Sequence, residues 1–200
     1  SLMPLDNLHG GSYFTDIIKL AKIIQSKDDI RPKGYRAIEL SRTDPLLVTR
    51  LNFNKRNSLG STLFNFPQIT FSDDQKSVSL AIHDFNTRHD LHWPSSFWSF
   101  RFILAIAQLP DFVYDEEQNE YRPVIPDLEL LTVAAFTQWL SAVTAPPEIK
   151  LEAAFAAPAL QHPGTTVIVA LGIEISSVPM AATGTLTPHQ GTMGILNCFV

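Results

Sequence analysis

From Ala153 to Val200 the chain carries a single formal charge, Glu174. A protein surface normally holds about a quarter charged residues, so a neutral stretch of this length cannot all be solvated. It has to be buried, either in the chain's own core or against another chain. Within it Val167, Val169, Leu171, Ile173 and Ile175 recur at every second position, and most are β-branched. That is the period and composition of a strand with one face on a core. The stretch therefore demands a sheet, and the rest of the chain has to supply its partners.

Several other segments share the two-residue period. Ile69 and Phe71 alternate with Gln68, Thr70 and Ser72, and Val78, Leu80 and Ile82 alternate with Ser77, Ser79 and Ala81. The polar turn Asp73-Asp74-Gln75-Lys76 between them makes a hairpin. An apolar run from Phe97 to Leu109 is closed by Pro110-Asp111. A second hairpin is expected where Phe112-Val113-Tyr114 and Tyr121-Arg122-Pro123 flank the acidic tip Asp115–Glu120. Ile149–Phe155 and Met193–Phe199 complete the apolar runs, while residues 128–143 fit strand or helix equally. About seven or eight short strands with proline and glycine between them argue for a β-sandwich from residue 65 to 200, as one domain or as two small β subdomains.

Residues 1–64 read differently. Between Ser12 and Gln25, Phe14, Ile17, Ile18, Ala21 and Ile24 recur at helical spacing, with Ser12 as the expected N-cap and Gly10-Gly11 as the break before it. This amphipathic helix is expected to dock on something. A polar connection broken by Pro32, Gly34 and Pro45 follows, with a short strand expected at Tyr35–Leu40. Residues 1–64 are thus expected to form an N-terminal helix and connecting arm.

The segments Leu51-Asn52-Phe53-Asn54 to Leu59, the two alternating strands, Pro94 to Phe100-Arg101-Phe102, and Val169-Ala170-Leu171-Gly172-Ile173-Glu174 together resemble bacterial proteins of immunoglobulin- or fibronectin-III-like architecture. The resemblance implies an antiparallel β-sandwich. It carries no activity and transfers no functional residues.

Composition narrows the function classes. Cys198 is the only cysteine, so an intrachain disulfide and a cysteine-based metal site are both excluded. No segment approaches the roughly 18 unbroken apolar residues of a membrane-spanning helix. The opening Ser1-Leu2-Met3 shows no basic stretch before an apolar one, so no signal peptide is visible, and the compartment is left unassigned. The net charge is −5, but the bases concentrate in the first sixty residues, which include Arg42, Arg50, Lys55 and Arg56. That basic third is diluted by Asp28, Asp29, Glu39 and Asp44. It reads as an offset to the acidic remainder, and nucleic acid is not the expected partner.

Three constellations could carry chemistry. His83, His89 and His92, with Asp84 and Asp90, could supply the nitrogen and oxygen ligands of a divalent metal. His89 and His92 would share a side only if their loop made a helical turn, and a polar loop whose histidines meet water gives the same pattern. Trp93, Phe97, Trp98, Phe100 and Phe102 crowd together, and an exposed tryptophan could stack on a sugar ring. In a strand beginning near Phe97, Trp98 shares a face with Phe100 and Phe102 and belongs to the core. Trp93 is then the free platform. The acidic cluster Asp115–Glu120 reads as a solvated turn, and Cys198, in an apolar strand, as an inert small hydrophobe. No phosphate loop, dinucleotide fingerprint or serine-hydrolase elbow occurs, and no cofactor is implied.

The first expectation is therefore a non-enzymatic structural or interaction module, self-associating through the neutral C-terminal region. A carbohydrate-binding module using Trp93 is the second. A metal-dependent hydrolase built on His83, His89 and His92 is the third.

Overall fold

A computed structural model describes residues 13–74, 76–126, 132–156, 163–178 and 190–199. The protein is mainly β, and its sheets are antiparallel. Strands β1 (Gln68–Phe71), β2 (Ser77–Ile82) and β8 (Ile149–Ala154) form a three-stranded sheet in the order β1-β2-β8. A larger sheet has the order β10-β9-β3-β6, from β10 (Gln190–Phe199), β9 (Thr165–Ser176), β3 (Ser99–Pro110) and β6 (Thr132–Phe136). The short β7 (Leu140–Ser141) pairs with the start of β3. The expected second hairpin is present as β4 (Phe112–Asp115) and β5 (Glu120–Pro123). Its tip holds Asn119 in the left-handed region. Residues 132–143, where helix and strand fitted equally, are strand wherever they are regular. Residues 128–131 lie outside the described residues.

The two sheets share one core. Val78, Leu80 and Ile82 of β2 and Ile149 and Leu151 of β8 meet Phe100, Phe102 and Leu104 of β3 and the alternating Val167–Ile175 series of β9. Phe85 packs on Phe100 and Phe102 at 5.8 and 5.7 Å. At one open side Phe71 stacks on Phe199 at 4.9 Å, tying β1 to β10.

The other face of the large sheet is covered as well. Ile103, Ala170, Met193, Ile195 and Cys198 form a second buried cluster with Val48, against which Leu40, Leu51 and Phe53 pack. Val48 belongs to α2 (Pro45–Thr49), whose N-cap Asp44 accepts a hydrogen bond from the Leu46 amide and which has proline in its first turn. Residues 51–53 then run along the free edge of β10. The Phe53 amide donates to Met193 and Asn52 bridges Gly194. Leu59, in α3 (Leu59–Thr62), and Leu63 finally enter the core between the sheets. The N-terminal segment therefore wraps the β10 edge at Gly191–Ile195, from one face of the sheet to the other.

This arrangement explains the neutral stretch. The described part of it, β9 and β10, is buried inside its own chain, so neutrality there requires no second copy.

Two N-terminal expectations need correction. The strand expected at Tyr35–Leu40 reduces to one bridge, Ile38 with Phe112, followed by a 3-10 turn at Leu40–Arg42. The Ala37 amide is taken instead by the buried Asp28 carboxylate, which also accepts from the Ile30 and Arg31 amides and from the Arg31 guanidinium at 2.8 Å. The helix itself, α1 (Tyr13–Ser26), is present, but its expected apolar stripe is not wholly docked. Ile24 is buried, whereas Ile17 and Ile18 are exposed. The expected cap, Ser12, lies outside the described residues. Gln25 meets Tyr121 of β5 at 2.6 Å, setting the end of α1 beside the hairpin. Among the described residues no helix is long and apolar enough to cross a membrane.

Candidate binding site at the loop end of the sandwich

Two connections meet at one end of the two sheets, where residues 83–98 lead from β2 to β3 and residues 142–148 lead from β7 to β8, beside the end of β9. Ser99 pairs with both Ser176 and Ser141, and Ile82 pairs with Ile149, so the strand ends that feed these connections lie together. The α1 helix and the β4–β5 hairpin belong to the opposite end, beside Pro110 and Asp111.

The expected metal cluster does not assemble there. His83, His89 and His92 are all exposed. His83 Nδ1 lies 3.3 Å from Glu148 Oε1, and Glu148 also meets Lys150 at 3.0 Å. The hydrogen bond from Lys150 is the main cause holding the Glu148 carboxyl below its ordinary value, with the charge of Lys150 and His83 adding to it. A helical turn does form in the loop, α4 (Thr87–Asp90), capped by Asn86. It ends two residues short of His92: Leu91 is extended and the His92 amide donates to Thr62, so the two imidazoles do not share a turn. Asp90 is committed to its own loop, accepting from the Asn86 amide at 2.7 Å. Among the described residues no three histidine, cysteine, aspartate or glutamate side chains come together as a metal site.

The two tryptophans exchange the places the alternation assigned them. Trp93 is only 8% exposed and sits in the core with Leu59, Leu63 and Leu91. The cause is a backbone pairing invisible to local periodicity. Leu63 bridges Leu91, the Phe64 amide donates to Asp90 and the His92 amide to Thr62, drawing the supposed free loop against α3. Trp98 is 60% exposed, because β3 begins one residue later and the small sheet ends at Ile82 and Ile149. A residue of core parity at the rim has no strand opposite it. Its backbone is nevertheless fixed: the Trp98 amide donates to Ser176 and its carbonyl accepts from Ala142.

On the face of the large sheet opposite to Trp98, Arg101 and Glu174 are register partners on neighbouring strands. Arg101 Nε donates to Glu174 Oε2 at 2.6 Å, and Glu174 is only 3% exposed. The Arg101 guanidinium carbon lies 5.0 Å from the Phe136 ring centre and 4.9 Å from that of Trp139, both within cation–π range. Phe136 reaches this face because it pairs with Ile103, two residues along from Arg101. Sequence reading passed over this group. Its one legible signal was Glu174, the lone charge in a neutral strand, which needs a buried cation beside it.

The remaining charged groups serve local structure. Lys55 pairs with Asp16 at 3.0 Å and Arg42 with Glu39 at 3.4 Å, so much of the basic N-terminal third is offset by acids within it. Asp115 accepts from the Glu117 and Gln118 amides and meets Arg122 at 3.3 Å, a self-contained exposed turn. Burial alone raises the Cys198 thiol to about 11, well away from a reactive thiolate at neutral pH.

No protein family, curated protein or solved structure matches the chain. The fold and the site therefore define only a class, a mainly β protein of two packed antiparallel sheets with an exposed aromatic group at one end.

Proposed function

We propose that this chain is a non-enzymatic interaction module of immunoglobulin/fibronectin-III-like architecture, with α1 as an N-terminal arm, that binds a glycan across the loop end of its sandwich. The strand orders support the architecture. With β1, β2 and β8 as strands A, B and E, and β3, β9 and β10 as C, F and G, β6 takes the place of C′ beside C. In that scheme residues 83–98 correspond to the B–C loop, which serves recognition in variable domains.

The observation that carries the ligand class is Trp98, a largely exposed indole on backbone held from both sides. An aromatic face exposed to solvent suits stacking on a sugar ring. Titration with oligosaccharides should quench the tryptophan fluorescence, and Trp98→Ala should abolish the quenching without changing the melting temperature. Trp93→Phe should bind as the unaltered protein does. Quenching that survives Trp98→Ala contradicts the reading.

Self-association is a second reading, now drawn from a different surface. Ile17, Ile18 and Ile23 of α1 are exposed, and exposed apolar side chains of this kind suit a partner. A solution mass of one chain by light scattering would count against it.

A further inference from the structure

We propose that β8 is an open edge of the small sheet that binds an extended peptide as an added antiparallel strand. The peptide it fits has apolar residues at alternate positions, a carboxylate opposite Lys150 and an ammonium opposite Glu152. This surface is distinct from Trp98, and the proposal does not rest on the glycan reading. The small sheet has the order β1-β2-β8, against β10-β9-β3-β6 in the large one. Phe71 on Phe199 sets β1 against β10, and β8 lies across from both β3 and β6, so β6 reaches past the small sheet. Val133 and Ala135 of β6 are register partners of the core residues Ile106 and Leu104. They point into the sandwich and pack on its core, yet they are only half-buried. A further strand beside β8 would cover them.

The backbone of β8 can receive that strand. Among the described residues β8 pairs only with β2. The Phe155 amide donates to the Lys76 carbonyl, which fixes the alternation along the ladder. Ile149, Leu151 and Ala153 turn their amides and carbonyls toward β2, while Lys150, Glu152 and Ala154 turn theirs away. Among the described residues no hydrogen bond reaches these outward amides, and all three residues are exposed. The side chains supply the selection. An added strand sets its own residues directly opposite Lys150 and Glu152 on the outer face, where opposite charges stabilise the pairing and like charges oppose it. Its residues opposite Leu151 and Ala153 point inward, toward Val133 and Ala135, and have to be apolar. Lys150 also lies 3.0 Å from Glu148, but that pair is exposed and yields readily to a carboxylate opposite Lys150. Pro146 has no amide to donate, so the ladder ends at Glu148. Main-chain bonds for affinity and alternate side chains for specificity are the general terms of strand addition.

The test titrates the intact protein with a capped peptide that spans residues 148–154, with valine at every second position, glutamate opposite Lys150 and lysine opposite Glu152. It should bind and slow amide hydrogen exchange at Lys150 and Glu152. A second peptide with the two charges exchanged should bind about fivefold more weakly, the size expected when two cross-strand pairs turn from attractive to repulsive. The double variant Lys150→Glu with Glu152→Lys alters only exposed side chains and should reverse that preference. N-methylation of the peptide residue opposite Glu152 removes a ladder donor and should abolish binding. N-methylation of the next residue, whose amide faces away from β8, should not. No binding of the first peptide, equal tolerance of the two N-methyl groups, or binding without protection at Lys150 and Glu152 overturns the proposal. Slow exchange at these amides before any peptide is added, with a solution mass of two chains, gives the edge to a second copy and overturns it as well.

Discussion

Strands β8 and β9 are consecutive in the chain and lie in different sheets, yet they read quite differently. In β8, buried Ile149, Leu151 and Ala153 alternate with exposed Lys150, Glu152 and Ala154. In β9 all but one residue is buried, although the sequence alternates as cleanly. The difference lies in what covers the second face. The small sheet has water outside it, whereas the large sheet has α2 and residues 51–53. A two-residue period thus shows which side chains face the sandwich, and the chemistry of the intervening residues shows whether the far side is wet. On β8 these are Lys150 and Glu152. On β9 they are Ile168, Ala170, Gly172 and the ion-paired Glu174.

Substitutions on the two strands should differ in proportion. Ala170→Asp places an unpaired charge against Val48, Ile103 and Ile195, and should cost about 4 kcal/mol or more in a denaturant titration. A loss below about 1 kcal/mol would mean that this face is wet after all. Gly194→Ala probes the wrapped edge. A methyl group there would lie 3.1 Å from Leu59 Cβ and 3.3 Å from Asn52 Oδ1, so a loss of roughly 1–3 kcal/mol is expected.

Asp28 ties the wrapping segment's upstream loop and should make stability depend on pH. The Ala37 amide, followed by the Arg31 side chain, holds its carboxyl well below the ordinary value. A carboxyl depressed on folding contributes its stability fully above its unfolded pKa, about 4, and loses it progressively as pH falls toward the folded value. Asp28→Asn should therefore lower the melting temperature at pH 7 and flatten its decline below about pH 4. An unchanged acid profile would show that the contact is energetically idle. At the small end, Glu152→Gln on the outer face of β8 should shift stability by less than about 0.5 kcal/mol.

How much of this was legible beforehand follows from the range of the interactions. The hairpin of β1 and β2 and the strand at Thr165–Ile175 are local in sequence, and periodicity reports them. The covering of the second face depends on Val48 meeting Ile195, and the burial of Trp93 depends on Leu63 meeting Leu91. Such contacts leave no periodic trace. Trp98 shows the same limit from the other side: alternation assigned its face correctly as core parity but could not tell that the facing sheet stops short of it. The Arg101 site was half legible, because a lone charge in an apolar strand asks for a partner, but nothing in the sequence said that Phe136 and Trp139 would flank it.

The central claim is that residues 37–63 are a structural layer of the large sheet and not a detachable arm. Expressing residues 65–200 alone and following unfolding by circular dichroism tests it most directly. The exposed outer face of β9, β3 and β10 should leave this fragment aggregated, or without a cooperative transition. A soluble fragment that unfolds cooperatively within a few degrees of the full chain would contradict the claim.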